Sequence, residues 1–206
     1  TIVPPHMDQY LKFSRIVRAI YLRYSPEVES FGIDESWIEL TGSPLLAHKT
    51  PAEIANEIRK AVKEEVGLTV SIGVSFNKIF AKLGSDMKKP DAVTEITEAS
   101  FKEQIWPLPA SELLCVGRAT TERLRCYGIH TIGDLAKADR QMLVRLLGIN
   151  GEKLWIFANG LDQSRVMPCD YVLPSKALVT ALPARMTCSR KMKCAMFSWS
   201  FLRKLG

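Results

Sequence analysis

Two short stretches hold the residues with chemistry to offer. Asp34 and Glu35 stand side by side in "FGIDESW", with Phe31 and Ile33 before them and Trp37 and Ile38 after them. Lys78, Lys82, Lys88 and Lys89 lie in "NKIFAKLGSDMKKP". Carboxylate oxygens fixed on a rigid sheet suit Mg2+, which takes one or two carboxylates and fills its shell with water and phosphate oxygens. Lysines beside such a site can hold phosphates, and phosphoryl transfer asks a protein mainly for charge stabilisation and positioning. Each feature also has a plainer reading. Two acids can mark an exposed turn, and lysines on a helix are usually solvated.

The elements that must position these residues follow from apolar spacing. Tyr10, Phe13, Val17, Ile20 and Tyr24 recur at three- and four-residue steps, which predicts an amphipathic helix ended by Ser25-Pro26. "EVESFGIDESWIEL" predicts two short strands meeting near the acids. Strand alternation puts Asp34 and Glu35 on opposite faces unless the chain turns there, in which case both carboxylates can tip toward one rim. Thr50-Pro51-Ala52-Glu53 has the form of a capping box with proline at the first helical position. That helix runs through Ile54, Ile58, Ala61 and Val62 to Gly67. "LTVSIGVSF" reads as a buried strand, "NKIFAKLGSDMKKP" as a short basic helix in which Lys78 and Lys82 share a face, and "DAVTEI" as a small strand. The expected fold class is therefore α+β, a mixed sheet with helices on one face. From about residue 107 the texture becomes all short helices broken by glycine, and a domain boundary is expected near 106–110.

Bulk properties narrow the class. The 206 residues are 47% hydrophobic, enough for a sizeable core. No apolar run approaches the ~18 residues of a membrane span. The start, "TIVPPHMDQY", has neither the basic nor the apolar region of a signal peptide and reads as the interior of a longer protein. Five cysteines without C-x-x-C spacing, and scattered His6, His48 and His130, favour reduced thiols in a cytoplasmic protein over a zinc site. The net charge of +6 points toward nucleic acid, but its placement weakens the point. Residues 177–206 hold six Lys/Arg and no acid, leaving 22 of the 28 basic residues against all 22 acidic ones in the body.

"IDES", followed about thirty-five residues later by "SIGVSFNKIFAKLGSDMKKPDAV", resembles the Y-family DNA polymerases, the translesion enzymes of the DNA polymerase IV and UmuC type. The resemblance runs from the first helix to about residue 176. It implies that residues 1–106 are the C-terminal part of a polymerase palm, that 107–168 are an all-α helix-hairpin-helix thumb, and that 169–206 are a linker and an aberrant remnant of a little finger. It makes Asp34 and Glu35 metal-binding catalytic residues for Mg2+, two ions in the intact enzyme, and Lys89 a contact to the incoming triphosphate. Lys78 and Lys82 are expected near DNA. In "LLCVGRATTERLRCYGIHTIGDLA" the hairpin residues Gly117, Arg118, Ala119 and Thr120 would hold phosphates through outward backbone N–H groups. Primer-template DNA, deoxynucleoside triphosphate and a sliding clamp are the implied partners. Gly32 stands where serine is usual, a change expected to matter little. Cys115 stands where the first hairpin glycine is usual, which puts close phosphate approach there in doubt. Trp155 and Phe157 are expected in the core.

The family's N-terminal strand, with a further metal-binding aspartate, and its fingers have no match here, so this chain alone is expected not to polymerise. An open sheet edge is expected in their absence. The tail reads "ALVTALPARMTCSRKMKCAMFSWSFLRKLG", with no acids and no clear period. Residues 177–185, back-translated with suitable synonymous codons and read from the third base, give Ile-Gly-His-Gly-Ile-Thr-Cys-Thr, the peptide that opens the little finger in some family members. A frameshift near residue 176 or 177 is the reading drawn from this, to be tested by resequencing. Two other functional readings stand beside the polymerase fragment: a non-catalytic DNA-binding protein using the hairpin alone, and an inert pseudogene product.

Overall fold

The computed structural model describes residues 6–169 and the backbone of residues 194–200. Helix α1 spans Met7–Tyr21, β1 Val28–Ser30 and β2 Glu35–Glu39. A single 3-10 turn leads to α2 (Pro51–Val66), then β3 (Thr69–Ser75), α3 (Lys78–Met87) and β4 (Val93–Ile96). The predicted strand-strand-helix-strand-helix-strand order is present. At the start of α2, Glu53 N–H donates to Thr50 Oγ1 at 3.2 Å and Thr50 N–H donates to Glu53 Oε2 at 2.7 Å. These two bonds satisfy amides that the helix itself cannot, and this is the capping box read from the sequence. In α1 the predicted apolar face is only partly used. Val17, Ile20 and Tyr21 are buried, whereas Tyr10 stays exposed.

The sheet is mixed, with order β1-β2-β5-β3-β4, where β5 is Cys194–Ser200. β3 and β4 run parallel, and β5 is antiparallel to both β2 and β3. The slot expected to leave an open edge is thus filled by a strand from the far end of the chain, with Ser198 opposite Glu35 on one side and Ser71 on the other. The remainder of the tail, including residues 176–178 where the sequence reading expects a frameshift, lies outside the described residues.

Helices cover both faces of the sheet, which corrects the expectation of one. Val70, Ile72 and Val74 pack with Val17, Ile20, Ile54, Ile58 and Val62 of α1 and α2. Residues 71, 73 and 75 point the other way by the two-residue alternation of a strand. There α3 lies so close that a Cβ built on Gly73 would sit 1.9 Å from the Ala81 carbonyl oxygen. The missing side chain at Gly73 lets a second helix seat directly on β3.

The helices after β4 are α4 (Phe101–Ile105), α5 (Arg118–Arg125), α6 (Ile132–Lys137), α7 (Arg140–Leu147) and α8 (Ile149–Ala158). Their core is continuous with α3. Ile79, Phe80 and Leu83 pack in one apolar cluster with Ile105, Leu113, Leu124, Leu135, Leu154 and Phe157. The change of texture near residues 106–110 therefore crosses a shared core rather than a gap, and Trp106 Nε1 donates across it to the Ala158 carbonyl at 3.2 Å. Phe157 is buried as expected, and Trp155 is half-buried with Arg140 over its ring at 5.8 Å. Among the described residues no helix is long and apolar enough to cross a membrane.

Candidate active site

The β1–β2 hairpin presents the acidic pair. Its loop is closed by Phe31 N–H donating to the Glu35 carbonyl at 2.8 Å, and the Phe31 and Trp37 rings meet at a 50° tilt with centroids 4.8 Å apart. Helix α1 supports the loop through Ser14 Oγ, which donates to the Ile33 carbonyl, and through Arg18, which reaches Ser30. Gly32 takes φ +85°, a conformation that L side chains rarely adopt. The glycine is therefore used by this loop and is more than a neutral departure from serine. The turn leaves Asp34 in the loop and Glu35 as the first residue of β2. Asp34 is exposed, its Oδ1 folded back toward Gly32, and it makes no ion pair or hydrogen bond among the described residues.

Glu35 points at α3. Lys82 Nζ donates to Glu35 Oε1 at 2.7 Å and to Asp86 Oδ2 at 2.7 Å. Asp86 Oδ1 in turn pairs with Lys89 Nζ at 2.8 Å. A chain of four alternating charges, Glu35–Lys82–Asp86–Lys89, thus runs from the strand rim to the end of α3. Burial by itself would depress the Lys82 ammonium, but its bonds to Asp86 and Glu35 outweigh that and hold it above the ordinary lysine value. Burial likewise pushes Asp86 up, and the two lysines overcome it and keep the carboxyl below its usual range. Asp86 was not singled out by the sequence reading, although its position four residues after Lys82 and three before Lys89 places it on their face of the helix.

Lys78 does share a face with Lys82, but the face is turned onto the hairpin and not outward. Its ammonium donates to both Glu29 oxygens at 2.7 and 2.6 Å, lies 4.3 Å from the centre of the Trp37 ring, and has a side chain only 9% exposed. Glu29 Oε2 also accepts from Met167 N–H at 2.8 Å, and Lys78 Nζ reaches the Arg165 carbonyl at 3.3 Å. Val166 is buried against Trp37 and Ala81. Lys78 is therefore the buckle that fastens the segment after α8 across the sheet. Glu29 could not be found from sequence, because it lies 49 residues from its partner.

The loop that carries Lys89 is held from behind. Asp91 accepts from Arg59 at 2.6 Å and Lys63 at 2.6 Å, both on α2. Asp91 takes φ +57°, which aspartate and asparagine tolerate better than most residues. Burial would raise its carboxyl, but the bonds from Lys63 and Arg59 prevail and hold it below 3.8. A depressed folded pKa contributes stability that is fully present above the unfolded value near 3.8 and is lost as pH falls through the lower folded one. Asp91→Asn keeps the backbone preference and removes the charge. We expect it to lower stability by about 1 kcal/mol at neutral pH, and the gap to close in denaturant titrations carried below pH 3.8.

The second predicted site is the hairpin before α5. Gly117 is the N-cap of α5 with no side-chain cap bond, so the first amides of that helix have no intrahelical partner. Arg118 and Ala119 are exposed and Thr120 half-buried, while the buried Leu113 and Val116 anchor the turn beneath. Arg118 Nε also meets Glu122 at 3.1 Å. Cys115 takes φ +71°, so this position has the left-handed backbone that glycine serves best. Cys115→Gly should raise stability by about 0.5–1 kcal/mol, or ~1–4 °C in a thermal melt. An unchanged or lowered midpoint would show that the turn is unstrained.

These features meet known proteins as follows. Residues 1–86 match the impB/mucB/samB family. A DNA polymerase IV of Acetivibrio thermocellus is 51% identical over 183 residues, which is 89% of this chain and 46% of that protein. The DNA polymerase IV 1 of Bacillus subtilis is 41% identical over 167 residues, 81% of this chain and 40% of that protein. By these matches the chain is similar to Y-family DNA polymerases. Its fold agrees with solved structures. The DinB of Sulfolobus solfataricus superposes with TM-score 0.72 at 24% identity, over 80% of this chain and 48% of that one. An insertion ternary complex of Dbh DNA polymerase gives TM-score 0.73 at 24% identity and the same coverage. The mixed sheet and its helices correspond to the palm region of such polymerases. The chain spans less than half the length of the curated relatives it matches.

Enzymes of this family use divalent metal ions. Among the described residues no group of three or more His, Cys, Asp or Glu is placed to hold one. Neither the Asp34 carboxylate nor Glu35 Oε2 has a partner among the described residues, and both suit an ion that draws its other ligands from phosphate and water. They do not make an all-protein cage.

Proposed function

We propose that this chain is a fragment of a translesion DNA-directed DNA polymerase, comprising the C-terminal part of the palm and a helix-hairpin-helix thumb. The observation that carries the reading is the charged chain from Glu35 to Lys89, which joins a carboxylate at the strand rim to a lysine suited to phosphate. Asp34 and Glu35 would hold Mg2+ together with triphosphate oxygens. When bound, that ion supplies charge neutralisation on the phosphates and activation of the primer hydroxyl. The chain's own residues do the rest of the positioning. Lys89 meets the triphosphate, α3 holds Lys82 against the hairpin and leads into the loop that carries Lys89, and Arg59 and Lys63 fix that loop from behind. Residues 117–120 grip the DNA backbone through exposed amides and the Arg118 guanidinium, without reading bases.

In the whole enzyme we propose two Mg2+ ions, synthesis past damaged template positions in DNA repair, and association with a sliding clamp. Two rim carboxylates without a third do not complete a two-ion site, so the purified 206-residue chain is expected to show no primer extension. Mg2+-dependent binding of a deoxynucleoside triphosphate tests the reading directly, with Asp34→Ala as control. Binding that disappears in the variant supports the palm assignment. Salt-sensitive DNA binding indifferent to Asp34→Ala, with no nucleotide bound, would favour a non-catalytic hairpin protein instead. Aggregation with no binding of either kind would favour an inert product.

A further inference from the structure

Lys82 stands between the two halves of the site and touches both. Its side chain is 15% exposed, that of Glu35 16%. It is the middle of a bridge whose ends are the metal-side carboxylate and, through Asp86, the phosphate-side Lys89. We infer that Lys82 is a positioning residue that couples metal binding at Glu35 to release of Lys89 for phosphate. The inference rests on the functional reading proposed above.

Lys82 divides its ammonium between Glu35 and Asp86, and Asp86 divides its carboxylate between Lys82 and Lys89. When a divalent cation claims Glu35, Lys82 loses that acceptor and is repelled by the new charge. Lys82 then turns wholly to Asp86, which lies one helical turn along and already accepts its second bond. Asp86, more fully neutralised by Lys82, holds Lys89 less, and the Lys89 ammonium is more available to phosphate. Metal and triphosphate thereby favour each other through the protein as well as through direct contact.

The test uses the full chain and two simple probes. Mn2+ alone is followed by electron paramagnetic resonance, and inorganic tripolyphosphate in EDTA by calorimetry. Lys82→Gln removes the competing ammonium, so Mn2+ should bind about fivefold tighter. The same change leaves Asp86 to Lys89 alone, so tripolyphosphate should bind about threefold weaker. A plain loss of one positive charge would also tighten Mn2+ and weaken tripolyphosphate, so the deciding measurement is a double-mutant cycle. In an Asp86→Asn background, Lys82→Gln should no longer weaken tripolyphosphate binding. An undiminished loss there would overturn the inference, because Lys82 would then act through space and not through Asp86. Lys82→Arg keeps both ion pairs and should restore wild-type affinities. Should Lys82→Gln fail to fold, the wild-type chain still decides: Mg2+ should shift the 13C signal of Lys89 Cε, and an unmoved signal overturns the coupling. Wild-type protein that binds neither probe would instead bring down the polymerase-fragment reading itself.

Discussion

Gly73→Ala should unfold the sheet–helix contact on which the whole site stands. A Cβ at this position would lie 1.9 Å from Ala81 O, 2.5 Å from Ser85 N and 2.9 Å from Ala81 C. All three are backbone atoms of one helix, so no flexible side chain can yield. Either α3 lifts from β3 or the strand bends. Overpacking a well-packed contact costs about 1–3 kcal/mol, and a backbone clash this deep belongs at the upper end. For a chain of this size that corresponds to a fall of ~6–12 °C in the thermal midpoint. The functional loss should exceed the loss of stability, because α3 carries Lys82 and leads to Lys89. Mg2+-dependent nucleotide binding should vanish at temperatures where circular dichroism still reports a folded chain. A variant with an unchanged midpoint would mean that α3 does not sit on β3 as described.

Lys78→Met should be nearly as damaging, and for a different reason. The ammonium is enclosed by Glu29, Trp37 and the Arg165 carbonyl. Methionine replaces the stem and not the charge, and it leaves the Glu29 carboxylate with Met167 N–H as its remaining bond. Breaking one side of a buried pair costs about 3–5 kcal/mol. Glu29 is 24% exposed, so water recovers part of that, and about 2–3 kcal/mol is expected. The double variant Lys78→Met with Glu29→Gln should recover much of the loss, since the stranded charge is then gone. The segment between Gly160 and Cys169 should also become sensitive to protease in the single variant, because Arg165 loses its bond and Met167 is left on a carboxylate that Lys78 no longer holds in place. If Lys78 served DNA instead, the single variant would keep its stability and weaken DNA binding uniformly across sequences.

What the residues disclosed beforehand depended on range. The α2 cap is local, four residues long, and could be read directly. The α+β order followed from the switch between two-residue and helical spacing. The grouping of Asp34 and Glu35 with the α3 lysines came by way of the family pattern; Glu35 meets Lys82 in an ion pair, whereas Asp34 pairs with no α3 lysine. Asp86 was legible by spacing and was overlooked. Glu29 was not legible, because its meaning depends on a strand and a helix brought together only by the fold. The enclosure of Lys78 was hidden for the same reason: a lysine on a helix gives no local sign of which way the helix faces. The second layer of helices was hidden in Gly73, where the informative quantity is an absent side chain. The left-handed Cys115 could be suspected only because a glycine was expected in its place.

The placement of β5 bears on how such a molecule comes into being. A ribosome releases β1 to β4 well before the strand that belongs between them, since 97 residues separate Ile96 from Cys194. At ~5–20 residues per second that is a wait of about 5–20 s. Throughout it, the inner borders of β2 and β3 carry amide and carbonyl groups with no neighbour to receive them, ready to adopt a strand from any nascent chain nearby. The yield of correctly made protein should therefore depend on chaperone supply and on translation speed over residues 97–193, more than on the equilibrium stability of the finished sheet.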